Sequence, residues 1–433
     1  MPIIRFCCEK SWSWLPGVLL ACAALLGTAG QGWAWTARIS SQQGGPPNFF
    51  VVDKSRQTLW FLEKQSPLRM VRQMECSTGQ LEGDKLQEGD LRTPEGVYFL
   101  EKRIEQDLDL ELYGDLAYAL NFPNPVDRMQ GKTGYGIWLH GRGKELVPLD
   151  TRGCVAINTA ALAGLSDQIE YGLTPVVISQ QTELEHELED PVAADLPEMV
   201  ASWARAWQDK NGDFFTFYDG EAFSRSSGKP FRSFEDRKRR LFSLYPWIHV
   251  YVDDVRVVRG PGYWVTYFGQ YYRTPSFVSE GIKRLYWQVR DPGVRIVGSE
   301  WLPAQLDLGD EYISSVRPEI TASIGKWRQA WENAELERYL SFYAPGSTQD
   351  QRRGIEAIGE HKRRLWSRDA PAAVSVDDLQ IRTHRKGFEV GFTQHYRSGS
   401  GYEDLGRKTL VLTPDKGGWA IVRESWQGLG DEP

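Results

Sequence analysis

A histidine and a cysteine, each beside a glycine, stand fourteen positions apart in GYGIWLHGRGKELVPLDTRGCVAIN, residues 134–158. A cysteine attacks a carbonyl as its thiolate, and a neighbouring imidazole can lower the thiol pKa from about 8.5 toward neutrality or take its proton directly. Of the six histidines (His140, His186, His249, His361, His384, His395), only His140 shares the first 185 residues with Cys154. A catalytic Cys154 would therefore take His140 as its base. The alternative is a buried structural cysteine near a strand-end histidine, because a single Cys/His pair is a weak signal by itself.

The flanking residues say how such a pair would be held. Apolar GIWL predicts a strand ending at His140-Gly141, CVAI predicts the next buried segment, and GRGKELVPLDTRG between them is a polar loop carrying Gly and Pro. Both reactive side chains then sit at the ends of elements. The Gly141 carbonyl is placed to orient the His140 ring, and the amides around Gly153 and Cys154 are placed to face a developing oxyanion.

His140-Gly141, a loop, then Thr151-Arg152-Gly153-Cys154-Val155 resembles the catalytic motif of the L,D-transpeptidase (YkuD-type) family. VVDKSRQTLWFLE (51–63), STGQLEGDK (77–85) and RTPEGVYFLEKR (92–103) are similar to that family's opening hairpin, its strand and glycine turn, and its Thr-Pro-x-Gly strand. The resemblance covers residues 49–180. It implies a mostly β catalytic domain that transfers acyl groups of peptidoglycan stem peptides. In that reading Cys154 is the nucleophile, His140 the proton donor and acceptor, and Gly141 the carbonyl that orients it. Thr151, Arg152 and Gly153 are assigned to the oxyanion and substrate side.

Two departures bear on the acceptor. Ala156 stands where many transpeptidases of the family carry Arg or Asn, and Arg152 where His is frequent. The stretch 113–141 resembles the subgroup of cell-shape L,D-carboxypeptidases and of the hydrolase that frees lipoprotein from peptidoglycan. An acyl-enzyme on Cys154 passes either to an amine, giving a cross-link, or to water, giving trimming, and the motif is common to both.

At 433 residues with 41% hydrophobic content the chain should hold two to three domains with substantial cores. A net charge of −7 argues against a nucleic-acid footprint. Cys7, Cys8 and Cys22 lie in the first 34 residues, leaving Cys76 and Cys154, so no disulfide framework is implied. Cys76, in VRQMECSTG, reads as a small buried hydrophobe in a strand. Arg5 and Lys10, the run LPGVLLACAALLGTAG and the small-residue exit predict a signal peptide over residues 1–34, cleaved after Ala34, with an uncleaved anchor as the alternative. The expected location is the periplasm or cell envelope. No metal-ligand spacing and no phosphate-cradling glycine loop is present, so no cofactor is expected.

Residues 181–193 read as an acidic linker. After it the sequence repeats. SWARAWQDKNGDFFTFY aligns with KWRQAWENAELERYLSFY, RKRRLFS with HKRRLWS, VDD with VDD and QYYR with QHYR, each at an offset of 124. Each unit, 194–302 and 316–428, predicts helices followed by antiparallel strands. This α+β order is similar to the nuclear-transport-factor-2-like (NTF2-like) fold. The strand aromatics (Trp264, Tyr267, Tyr271, Tyr272, Trp287, Phe388, Phe392, Tyr396) are expected in the core, and the basic runs 237–240 and 361–364 on solvated helix faces.

The function expected is an exported L,D-transpeptidase acting through a thioester on Cys154. Its alternatives are a carboxypeptidase or amidase using water, and a wall-binding protein without catalysis. The expected partners are stem peptides, with wall glycan or an envelope protein at the repeats.

Overall fold

The computed structural model describes residues 34–41, 44–65, 67–185, 188–415 and 418–429. The signal peptide expected over residues 1–34 falls, except for Ala34, outside the described residues, as does His186. No helix among the described residues is long and apolar enough to cross a membrane.

The first part of the chain forms strands β1 (Thr36–Ile39), β2 (Asn48–Asp53), β3 (Thr58–Glu63), β4 (Arg69–Ser77), β5 (Gly96–Ile104), β6 (Ala117–Leu120), β7 (Trp138–His140), β8 (Val155–Ile157), β9 (Pro175–Ser179) and β10 (Gln181–Leu184). Eight of them close a barrel in the order β2-β3-β4-β8-β7-β6-β5-β9. Closure leaves no free sheet edge, and the side chains that alternate inward fill the interior. Phe50, Val52, Leu59, Phe61, Tyr98, Leu100, Tyr118, Leu139, Val155 and Ile157 do so here. The β2–β3 turn is fixed by Asp53, whose Oδ1 accepts from Ser55 Oγ at 2.8 Å and Arg56 N at 2.9 Å. Cys76, 1% exposed at the end of β4, belongs to this core, and burial pushes its thiol up to about 12.

The expected linker over 181–193 is corrected at both ends. Residues 181–184 are β10, pairing in parallel with β1, and the helix Pro191–Asp209 already starts at 191. Asp190 caps that helix by accepting from Ala193 N at 3.0 Å, with Pro191 at its first position, which is why the acidic run stops there.

Each repeat opens on a helix, Pro191–Asp209 or Leu308–Glu332. The first then forms an antiparallel sheet of β11 (His249–Gly260), β12 (Tyr263–Arg273), β13 (Val278–Arg290) and β14 (Gly293–Pro303). The second forms β15 (Tyr343–Gln349), β16 (Arg352–Arg353), β17 (Pro371–His384), β18 (Gly387–Ser398), β19 (Glu403–Asp415) and β20 (Gly418–Gly428), in the order β16-β15-β20-β19-β18-β17. The duplicated motifs are structural. Trp203 Nε1 donates to Tyr218 OH at 3.0 Å, and Trp327 Nε1 to Tyr343 OH at 3.2 Å. Both VDD runs sit at a β-bulge, and Asp254 and Asp378 take φ of 48° and 55°, a conformation that Asp tolerates better than most residues.

The repeats do not hang from the barrel. Phe49, Val51, Trp60, Leu62, Val97, Phe99 and Val177, on its outer face, share one core with Ala222, Val258, Val265, Tyr267, Tyr286 and Val297 of the first repeat. Arg284, 1% exposed in that interface, reaches Glu101 at 2.9 Å, Glu300 at 3.1 Å and the Gly172 carbonyl at 2.8 Å.

Candidate active site

β7 and β8 lie side by side in parallel, with Leu139 opposite Val155 and His140 opposite Ala156. Paired residues of parallel strands point to the same face, and so do residues two apart along an extended chain. Cys154 immediately precedes β8, so His140, which ends β7, and Cys154 stand at the ends of neighbouring strands. The spacing of fourteen residues is the length of loop needed to return from β7 and enter β8 beside it.

His140 is 2% exposed, and its Nδ1 lies 2.5 Å from the Gly141 carbonyl oxygen. A carbonyl only accepts, so Nδ1 carries the proton and the neutral ring keeps its lone pair on Nε2. The Tyr113 ring stands edge-on to the imidazole at 5.1 Å. Tyr113 ends the short helix Leu110–Tyr113, which Asp109 caps, and Gly114 turns the chain away with φ 61°. Gly141 has to be glycine for contact, since a Cβ there would stand 2.5 Å from Thr159 Oγ1.

Cys154 is partly exposed, with Sγ 3.5 Å from the Gly136 carbonyl oxygen. Gly153 has φ 129°, and a Cβ on it would press within 2.9 Å of the Arg92 carbonyl oxygen. Backbone in that region belongs almost entirely to glycine, and it swings the cysteine onto the barrel rim. Thr151 Oγ1 donates to the Cys154 carbonyl at 2.7 Å and accepts from Gly153 N at 3.2 Å. Thr151 therefore shapes the turn from inside. It also engages the Gly153 amide, which leaves the Cys154 amide as the backbone donor for an oxyanion. Arg152 is exposed beside it, and Ala156 is fully buried against the barrel.

Burial acts on both groups of the pair. Burial lowers the His140 imidazole to about 4, against an opposing pull from the Gly141 carbonyl and with a further push from Arg142. Burial also raises the Cys154 thiol to about 11, opposed by a Trp138 backbone hydrogen bond and by Lys85. Both shifts favour the uncharged forms of the two groups, thiol and imidazole.

Sequence reasoning missed the support around the pair. Lys54 Nζ holds the carbonyls of Gly83 at 2.5 Å and Thr93 at 2.9 Å, and pairs with Glu95 at 3.0 Å. Thr93 Oγ1 in turn accepts from Gly79 N at 2.8 Å and donates to the Cys154 carbonyl at 3.4 Å. The Arg92 Nε is buried without a partner near Gly153. The only signals for these residues were scattered Lys and Thr whose contacts span 14 to 61 positions, which no local pattern encodes. Among the described residues no group of three or more His, Cys, Asp or Glu could hold a metal ion.

A closed β barrel with a cysteine and a carbonyl-bonded histidine at adjacent strand ends is followed here by two α+β repeats. Residues 47–178 match the L,D-transpeptidase catalytic domain (YkuD), and residues 195–300 and 319–425 each match the Cds6 C-terminal NTF2-like domain. The chain belongs to the YkuD L,D-transpeptidase family, with C-terminal NTF2-like domains. Similar solved structures include Bd1075 of Bdellovibrio bacteriovorus, at 30% identity over 62% of this chain and 96% of that one, TM-score 0.48. The helical cell shape determining protein Pgp2 of Campylobacter jejuni is similar at 26% identity over 60% of this chain and 96% of that one, TM-score 0.48. A point variant of Pgp2 gives 26% identity over 61% and 94%, TM-score 0.50. No curated protein matches the chain.

Proposed function

We propose that the protein is an exported cysteine acyltransferase of peptidoglycan, working through a thioester on Cys154. The observation that carries this reading is the Nδ1–Gly141 bond, which leaves the Nε2 lone pair of His140 free to take a proton, on a strand end that neighbours Cys154. As Sγ bonds to the stem-peptide carbonyl carbon, His140 Nε2 takes the thiol proton, and the Cys154 amide faces the oxyanion. Collapse breaks the amide C–N bond, and His140 returns the proton to the leaving amine. In the second half an acceptor loses its proton to His140, attacks the thioester and expels Sγ, which regains that proton.

The first reading of the acceptor is an amine of a second stem peptide, the L,D-transpeptidase outcome. A second reading, water, giving L,D-carboxypeptidase trimming, is supported by the stretch 113–141 and by Ala156 in place of Arg or Asn, and the likeness to Pgp2, a helical cell shape determining protein, supports a role in cell shape. Export follows from the basic-apolar-small pattern of the first 34 residues. The repeats are proposed to hold wall polymer or an envelope protein near the barrel.

Mass spectrometry of muropeptides incubated with the full chain tests the proposal. Dimers identify an amine acceptor, and a stem shortened by its terminal residue identifies water. Unchanged muropeptides with folded wild-type protein would contradict both and leave the non-catalytic binding reading.

A further inference from the structure

The duplication supplies an internal comparison. Each repeat encloses a cavity between its basic helix and its sheet, about 910 Å³ in the first and 450 Å³ in the second. Both volumes fall in the range of small-molecule sites. Many lining residues are equivalent, with Trp207, Lys238, Gln270 and Lys283 of the first matched by Trp331, Lys362, Gln394 and Lys408 of the second. The charge differs. Lys229, Arg237, Lys238 and Lys283 line the first with no carboxylate among its lining residues. Asp350, Asp369, Asp404 and Glu424 join the cations of the second, and at the positions of the last three the first has Tyr245, Ser279 and Ser299.

The second cavity's polar groups divide into those already satisfied and those that are not. Glu424 is saturated by Lys408 at 2.5 Å, Gln349 at 2.8 Å and the hydroxyls of Tyr339 and Tyr343, so it fixes the floor. Lys362, 7% exposed, rests its ammonium 4.3 Å above the Trp331 ring and has no carboxylate in salt-bridge range among the described residues. Gln394, 2% exposed, donates from Nε2 to Asp404 Oδ1 at 3.3 Å, and its Oε1 has no partner. Because a carboxylate only accepts, the amide nitrogen belongs on Asp404 and the oxygen faces the cavity. Burial raises the Asp404 carboxyl above its ordinary range, against the pull of Lys408, Lys362 and His395, and lowers the Lys362 ammonium to about 8, against the pull of Glu424 and Asp350. A lysine without a salt bridge, the Asp404 carboxylate and the unpartnered Gln394 Oε1 thus line the same space.

We propose that the cavity of the second repeat binds the zwitterionic head of an α-amino acid, with its carboxylate on Lys362 and its ammonium on Asp404 and Gln394 Oε1. The site is independent of the catalytic reading. The aromatic wall of Trp331, Tyr396 and Trp426 leaves room for a side chain or for the rest of a peptide.

Calorimetric titration of the full chain carrying Cys154→Ala, which removes the thiol and reads binding without turnover, tests the site. The probes are D-alanine, N-acetyl-D-alanine, D-alaninamide and a tripeptide ending in a diamino acid with a free amino-acid head. D-Alanine or the tripeptide should bind, with the acetylated and amidated probes at least tenfold weaker. Binding of D-alanine assigns the site to free amino acids, and binding of the tripeptide alone assigns it to peptide ends. The near-isosteric Asp404→Asn and the separate Lys362→Met should each weaken binding tenfold or more, while Lys238→Met in the first cavity should not. Equal affinity for D-alanine and its N-acetyl form, or no binding of any probe at about 10 mM, would overturn the proposal.

Discussion

Cys154 and His140 are each held by a contact the sequence makes legible. The glycine after the histidine and the glycine before the cysteine announced a close approach and an unusual backbone, and the structure puts Thr159 against one and φ 129° at the other. What sequence could not supply was the sign of the electrostatics, because burial depends on every strand packed around the pair. Cys154→Ala should abolish turnover while circular dichroism stays unchanged, and His140→Ala should cost about 10²–10⁴-fold in kcat. Wild-type turnover in either variant would remove that residue from the mechanism. Gly153→Ala should lose activity and about 1–3 kcal/mol of stability in urea titration, from backbone strain and the Arg92 carbonyl. Since the imidazole sits at about 4 and the thiol at about 11, iodoacetamide alkylation of the resting enzyme should keep rising with pH above 8. The acid limb of kcat/KM should fall near pH 4. An alkylation plateau from pH 5 upward would show a thiolate–imidazolium pair instead.

At the scale of elements, strands, hairpins and the duplicated helices were readable from periodicity, and the repeated VDD was readable as a motif. Its role as a bulge was not, since a bulge is a property of two paired strands. The basic runs were half legible. Arg237, Arg239 and Arg240 are solvated as expected, but Lys238 folds inward over Trp207 at 3.3 Å, as does Lys362 over Trp331. Charge alone cannot tell which lysine of four faces in, whereas the helical phase relative to the buried tryptophan does. The core reading of the aromatics holds for Tyr267, Tyr271, Tyr272, Trp287, Phe388 and Phe392; Tyr272 also borders the first cavity, and the partly buried Tyr396 lines the second. The barrel's cover by the first repeat was invisible, because a strand buried on both faces reads only as apolar. It changes one experiment. A fragment ending at residue 185 would bare Phe49, Val51, Trp60, Val97, Phe99 and Val177, and is expected to aggregate in gel filtration. Arg284→Ala, which strips Glu101, Glu300 and the Gly172 carbonyl of their partner, should cost about 3 kcal/mol. A change under about 1 kcal/mol in urea unfolding would mean that the interface rests on its apolar contacts alone.

The whole molecule carries buried histidines in the barrel and between the repeats, where His249 stacks on Trp419 at 5.7 Å and is held at about 4 by burial. An unfolded histidine takes up its proton near 6.5, while the folded His140 and His249 resist until about 4. The unfolded state therefore binds more protons across that window. Stability is intact above pH 6.5 and is lost as pH falls toward 4, by about 3 kcal/mol for each histidine at the lower end. The urea midpoint of His249→Phe should fall less between pH 6.5 and 4.5 than that of the wild type, and an equal fall would show that His249 is not the group titrating. Acyl transfer through Cys154 is tested most directly by rapid-quench intact-protein mass spectrometry of the full chain with a stem-peptide donor. The predicted result is a transient adduct equal to the donor minus its leaving amino acid, mapped to Cys154 and missing from Cys154→Ala. Donor turnover with no adduct on Cys154, undiminished in the alanine variant, would contradict it.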